Sequence, residues 1–271
     1  MRAWVPYEDV AKRLADTIAV DVYDGESPPP ATLDEVEFYV LPYTFSREPL
    51  HLMRTLPRLR VAQTLTAGYE HVLPHLPAGV TLCNAKGVHD TSTAELAVTL
   101  ILASLRGIPD FVRAQDRHEW RYARYDSLAD RTVLIVGYGG IGAAIERRLA
   151  GFETTVIRVA SRPREGVHGV DELPELLPHA DVVVLCTPLT ERTRGLVDAA
   201  FLARMRDNAL LVNVARGKVV DTDALLAELR SGRLRAALDV TDPEPPPPDH
   251  PLWTAPGLLL SPHVGGNSSA F

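Results

Sequence analysis

Cysteine is scarce in this chain, with only Cys83 and Cys186 among 271 residues, far apart and inside apolar runs. That argues against a disulfide framework and for buried structural thiols in a reducing compartment. Long apolar runs are missing too. The longest, Leu96 to Leu105, is broken by Thr99 and Ser104 and is too short to span a bilayer. The opening stretch MRAWVPYEDVAKRLAD has no apolar core of the signal-peptide type. A soluble, cytoplasmic protein with no membrane partner is therefore expected. A Lys/Arg-rich block is absent and the net charge is -7, so nothing provides the basic footprint of a nucleic-acid binder. No metal site is expected.

What is present is enough apolar material for two globular domains: 46% of residues are apolar and 23% charged. Strand-like runs at 17–22, 38–41, 61–65 and 80–83 alternate with helix-like segments at 10–15 and 49–56, the pattern of a parallel α/β sheet. A long helix, STAELAVTLILASLRG, is predicted behind a capping box of Ser92 and Glu95, ending at Gly107 before Pro109. The domain boundary is placed near its start. A second α/β series follows, with strands at 132–136, 155–160, 180–186, 209–214, 236–240 and 258–260 and helices at 140–150 and 222–230. These strands are rich in Val, Ile and Leu, as strands covered on both faces should be. Pro243 to Pro248 reads as a stiff loop.

VLIVGYGGIGAAIERRL sets Gly137, Gly139 and Gly142 in G-x-G-x-x-G spacing between a strand and a helix. Gly137 permits the tight turn, Gly139 lets a pyrophosphate approach the backbone, and Gly142 allows close packing of helix on strand. Gly140 and Ile141 lie within the same turn. An acid that would hold the ribose hydroxyls of NAD is expected about 20 residues further on. The strand there ends instead in Ala160 and Ser161, followed by Arg162 and Arg164. A hydroxyl and two guanidinium groups suit a 2′-phosphate, so NADP is the expected cofactor, with NAD possible. The alternative is that both arginines belong to a solvated loop.

Three further stretches, NVARGKVVD (213–221), ALDVTDPEPPPPDHPLW (237–253) and LLLSPHVGG (258–266), each start at or just after a predicted strand end. The ligand crevice of an open parallel sheet lies outside the carboxyl ends of its strands. Arg216, Glu244 and His263 would meet there as an acid-base site, although each has an ordinary structural reading when taken alone.

With these motifs in order, and with TAGYEHV (66–72), STAELAVTLILASLRGIP (92–109) and CTPLTERTRGLVD (186–198) beside them, the chain resembles the D-isomer-specific 2-hydroxyacid dehydrogenases. Within that family its motifs resemble those of glyoxylate and hydroxypyruvate reductases. The resemblance implies two doubly wound parallel-sheet α/β domains with the cleft between them. These are a flavodoxin-like substrate domain over 1–91 and a Rossmann NAD(P)-binding domain over 92–264, with 265–271 starting a C-terminal segment that returns to the first domain.

The resemblance also implies roles. His263 is the general acid for a 2-oxo group, Glu244 its carboxylate partner, and Arg216 the clamp for the substrate carboxylate. Backbone groups around Ala67, Gly68 and Tyr69 hold the other carboxylate oxygen. The cofactor contacts implied are the glycine turn, Ser161, Arg162, Arg164, Thr187, Pro188, Thr193, Val214, Ala215, Asp239 near the nicotinamide carboxamide, His263 and Gly265. A homodimer is implied as well.

The reaction expected is NAD(P)H-dependent reduction of a small 2-oxo acid, glyoxylate or hydroxypyruvate. Phosphoglycerate or another 2-hydroxyacid remains an alternative substrate, with Arg47, Arg54, Arg58, Arg60 and Lys86 as candidate phosphate ligands or plain surface charges. A nucleotide-sensing, corepressor-like interaction protein is the alternative of another class.

Overall fold

The computed structural model describes residues 1–44 and 46–269, and the chain divides into two compact units, Met1–Val88 and His89–Phe271. The first carries five parallel strands, β1 (Arg2–Val5), β2 (Ala19–Val22), β3 (Val36–Val40), β4 (Val61–Gln63) and β5 (Thr81–Cys83), in the order β2-β1-β3-β4-β5. That order is the flavodoxin-like winding. Strand β1 is absent from the sequence-based expectation because four residues offer too little periodicity, yet Ala3, Trp4 and Val5 are buried. Helices α1 (Glu8–Leu14) and α2 (Glu48–Leu52) supply connections. An aromatic trio anchors the core: Trp4 meets Tyr39 edge-on with ring centroids 5.8 Å apart, and Tyr23 lies 5.4 Å from Trp4. Such pairs add about 0.5–1.5 kcal/mol beyond the area they bury.

The second unit is a seven-stranded sheet. Strands β6 (Thr132–Val136), β7 (Thr155–Ala160), β8 (His168–Gly169), β9 (Val182–Leu185), β10 (Leu210–Asn213), β11 (Arg235–Leu238) and β12 (Leu258–Leu260) run in the order β12-β11-β10-β9-β6-β7-β8. Every pairing between neighbours is parallel. Both faces are covered, and the period of two along a strand sorts the side chains. Val133, Ile135, Val184 and Val212 join one core with Ile101 of α3 (Asp90–Leu105) and Ile145 of α5 (Gly140–Leu149). Leu134, Val136, Val183 and Leu211 face the other core. There they meet α6 (Leu173–Leu176), α7 (Ala199–Arg204) and α8 (Thr222–Ser231) through Leu173, Leu202 and Leu229.

Helix α3 corrects one local expectation. It begins at Asp90, not behind Ser92, and Ser92 lies inside the first turn with its hydroxyl donating to the His89 carbonyl. The capping box does not form; Asp90, acidic and in the first turn, complements the helix dipole instead. Gly107 ends α3 as expected, at φ 66°, where a Cβ would run into the Tyr125 ring. Pro109 does not close the helical stretch but sits in the first turn of α4 (Ile108–Asp116), where its missing N–H costs nothing. At the C-terminus Asn267 bonds back to the Val264 carbonyl. The expected C-terminal segment over 265–271 falls in part on Ala270 and Phe271, outside the described residues.

Candidate active site

Because the strands of the second unit are parallel, the loops that follow β6, β7, β9, β10, β11 and β12 all leave one edge of the sheet. The glycine turn follows β6. Gly137 has φ 108°, and a Cβ on it would stand 2.7 Å from the backbone of Cys186 and Thr187. The turn is tied down by the Gly137 and Tyr138 N–H groups, both donating to the Val159 carbonyl. Gly142 leaves α5 close to the sheet, its Cβ position 2.9 Å from the Gly137 carbonyl. Around Gly139 the space is open, and the first-turn amides of α5, from Gly140 through Ile141 to Gly142, lack intrahelical acceptors.

Next to this cradle the Thr187 hydroxyl is buried and has no partner among the described residues. A tight glycine turn, an open approach at Gly139 and an orphaned hydroxyl fit a dinucleotide. One constraint was invisible in the motif: a Cβ on Gly140 would fall 2.1 Å from the Asp90 carboxylate.

After β7, Ser161, Arg162 and Arg164 are exposed, and Arg164 donates to the Tyr138 carbonyl at 2.9 Å. After β9, the Thr193 hydroxyl closes a loop by donating to the Pro188 carbonyl at 2.7 Å and accepting from the Thr190 N–H at 2.8 Å.

The loops after β10 and β11 press together. Val214 is buried and its N–H donates to the Leu185 carbonyl. Asn213, 1% exposed, accepts from the Ala215 N–H at 2.9 Å and donates to the Arg216 carbonyl at 3.1 Å, which sets the bend that carries Arg216. Gly217, the next residue, lies against the backbone of Thr241 and Asp242. Arg216 is thereby brought within electrostatic range of Glu244.

His263 follows β12 with φ 53°, a left-handed conformation uncommon for a side-chain-bearing residue. Asp239 holds it there. The His263 N–H donates to the Asp239 carbonyl at 2.8 Å, and the Asp239 carboxylate accepts from the Ser261 hydroxyl and the Val264 and Gly265 N–H groups. His263 Nδ1 is hydrogen-bonded to the Glu244 carboxylate. Burial pushes the Glu244 carboxyl up, but the His263 bond and charge, a Thr241 backbone bond and the Arg216 charge outweigh it, so the net shift is below the ordinary value.

In the first unit, the Thr66 hydroxyl donates to the Gly68 carbonyl and Asn84 to the Ala67 carbonyl. The Tyr69 N–H is taken by the Glu70 carboxylate at 2.9 Å. Of the three expected amides, those of Ala67 and Gly68 have no acceptor among the described residues. Among the candidate phosphate ligands, Arg60 pairs with Glu37 and Arg54 donates to the Pro74 carbonyl.

Sequence reasoning missed the residues that support these groups. Asn213 and Ser261 sit inside the quoted motifs, but short polar residues at strand ends give no sign of what they hold.

Known proteins resemble this chain in sequence and in fold. Residues 98–265 match the family model described as D-isomer specific 2-hydroxyacid dehydrogenase, NAD binding domain. A glyoxylate reductase of Korarchaeum cryptofilum (strain OPF8) is 32% identical, over 97% of this chain and 85% of its own. A human glyoxylate reductase/hydroxypyruvate reductase is 35% identical over 76% of this chain and 67% of its own. Among solved structures, an NADPH-dependent glyoxylate/hydroxypyruvate reductase of Sinorhizobium meliloti, in complex with NADP and malonate, superposes with a TM-score of 0.82. It is 27% identical over 99% of this chain and 88% of that one.

Proposed function

The chain belongs to the D-isomer specific 2-hydroxyacid dehydrogenase family, and on that premise we propose that it reduces a small 2-oxo acid, glyoxylate or hydroxypyruvate, to the D-2-hydroxy acid with NADPH. The observation that carries this reading is the His263–Glu244 pair with the Arg216 loop packed beside it, on the sheet edge that also bears the glycine turn. The relatives named glyoxylate reductase and glyoxylate reductase/hydroxypyruvate reductase support the substrate class, and the neighbour solved with NADP supports the cofactor.

When bound, the reduced nicotinamide supplies a hydride to the 2-oxo carbon. The residues of this chain do the rest. With Nδ1 committed to Glu244, Nε2 of His263 is the nitrogen that delivers a proton to the oxo oxygen, and the carboxylate fixes the ring's orientation and tautomer. Arg216 offers a planar fork for the substrate carboxylate, and the N–H groups of Ala67 and Gly68, which have no acceptor among the described residues, suit a carboxylate oxygen. The amides of Gly140 and Ile141 hold the pyrophosphate, and Ser161, Arg162 and Arg164 the 2′-phosphate. Thr187, Pro188, Thr193, Val214, Ala215, Asp239 and Gly265 line the remainder of the dinucleotide.

The protein acts in the cytoplasm, a reading supported by its two free cysteines. Among the described residues no helix is long and apolar enough to cross a membrane. It assembles as a homodimer. Supporting this are large apolar side chains that the single chain leaves exposed on and after α4: Phe111, Val112 and, almost fully, Trp120 and Tyr122. Sedimentation of the wild type against Trp120→Ser tests that assembly.

The function is tested by following NADPH and NADH oxidation with glyoxylate, hydroxypyruvate and phosphohydroxypyruvate. Turnover of the first two with NADPH is expected. Turnover confined to the phosphorylated acid would replace the substrate assignment, and nucleotide binding with no turnover on any acid would favour a sensing role.

A further inference from the structure

The arginine-bearing loop after β7 is held in place by groups outside it. Its start and end are fixed by β7 and β8, which pair through Val159–His168 and Ala160–Gly169. Between them Arg164 and Val167 exchange backbone hydrogen bonds of 3.0 and 2.8 Å, and Val167 is buried. Two tethers then reach across to the glycine turn and its helix. Arg164 donates to the Tyr138 carbonyl at 2.9 Å, with its guanidinium 5.7 Å from the centre of the Tyr138 ring. Arg158, on β7, has its guanidinium at the same distance from that ring and donates to the Gly166 carbonyl at 3.4 Å.

The hub is Glu146 on α5. Its two carboxylate oxygens accept from Arg158 Nε at 2.9 Å each, a second guanidinium nitrogen also donates to it, and it accepts the Tyr138 hydroxyl. The arrangement separates the three arginines by task. Arg158 is neutralised by Glu146, whereas Arg162 and Arg164 have no carboxylate partner among the described residues. Two unneutralised guanidinium groups on a tethered loop suit a doubly charged phosphate oxyanion better than the neutral hydroxyl of NAD.

Resting on the NADP reading above, we propose that Glu146, acting through Arg158 and Tyr138, is a positioning residue that sets the 161–167 loop for the 2′-phosphate and so governs discrimination between NADPH and NADH. None of the three touches the reacting atoms. Their effect is confined to the adenosine end of the cofactor, which makes it separable from catalysis.

The test is calorimetric binding of two cofactor fragments, 2′,5′-ADP and 5′-AMP, to the wild type, Glu146→Gln and Arg158→Lys. The second variant keeps the charge but loses the fork, and serves if the first folds poorly. The wild type is expected to bind 2′,5′-ADP about tenfold or more tightly than 5′-AMP. Each variant is expected to lose about fivefold or more of that preference while 5′-AMP affinity stays within about twofold. The ratio of KM values for NADPH and NADH should move in parallel, with kcat at saturating NADPH unchanged. Retained discrimination in both variants overturns the positioning role and leaves the NADP reading intact. So does tighter 2′,5′-ADP binding in Glu146→Gln, because a freed Arg158 would then be a ligand in its own right. A matching loss for both fragments also overturns it, as general damage to the glycine turn. A wild type that does not distinguish the fragments overturns the NADP reading and the proposal together.

Discussion

Gly217 and Thr241 lie so close that a Cβ added to Gly217 would stand 1.8 Å from the Thr241 carbonyl oxygen. This contact joins the loop carrying Arg216 to the loop carrying Glu244, and it leaves no room for any side chain between them.

Gly217→Ala is therefore expected to push the two loops apart. Overpacking of this kind destabilises by about 1–3 kcal/mol, readable from urea unfolding. The larger effect falls on catalysis: KM for the 2-oxo acid rises about tenfold or more, as a displaced Arg216 loses its carboxylate, whereas affinity for 2′,5′-ADP is unchanged.

Asp239 supports His263 from behind through its carbonyl and through the carboxylate bonds to Ser261, Val264 and Gly265. In Asp239→Asn an amide NH2 faces at least one backbone N–H, leaving a buried donor unsatisfied at a cost of about 1–3 kcal/mol. The left-handed His263 backbone then loses what over-determines it. A fall in kcat of about tenfold or more is expected, and an unchanged kcat would show that the turn holds without the carboxylate.

Those supports mark where the sequence was legible and where it was not. Gly137, Gly139 and Gly142 could be picked out as a tight turn because their spacing falls between a clear strand and a clear helix, where the structure also has them. Arg216, Glu244 and His263 could be picked out as neighbours because each follows an apolar run that ends as a strand, and parallel strands put their ends on one edge. Asn213, Ser261 and Glu146 could not, since each acts through a partner distant in sequence: Ser261 meets Asp239 and Glu146 meets Arg158 only after the sheet has formed. Strand β1 escaped because its burial follows from the winding order, not from its own four residues. The Ser92 capping box failed for a similar reason: local spacing allowed it, but the helix starts at Asp90, whose carboxylate lies against Gly140.

Cys186 follows β9 and donates its thiol to the Gly137 carbonyl at 3.2 Å. Burial pushes this thiol up to about 12, so at pH 8 almost none is thiolate. Alkylation of Cys186 in the native protein is expected to be about a thousandfold slower than in the unfolded chain, measured by mass spectrometry after iodoacetamide treatment. Rapid native labelling would show that the space beneath the glycine turn opens.

Glu244 and Glu146 both lie below the ordinary carboxylate value. For Glu244 burial opposes the shift but is outweighed by the His263 bond and charge; for Glu146 the Arg158 bonds lead. A depressed folded value means that the stabilisation is complete above the unfolded value, about 4.3, and is lost as pH falls through the lower folded value. Melting temperatures of the wild type and Glu244→Gln should differ at about pH 5 and converge below about pH 4. A difference that grows on acidification would contradict the assignment.

The central claim is that His263 moves the proton, and single-turnover reduction of glyoxylate or hydroxypyruvate by His263→Gln with NADPH tests it most directly, with cofactor affinity measured on the same protein. The predicted result is a rate lower by about 10²–10⁴-fold, with NADPH affinity within about twofold of wild type. A variant that binds NADPH normally and reduces the acid at the wild-type rate would contradict the claim and move the proton donor elsewhere.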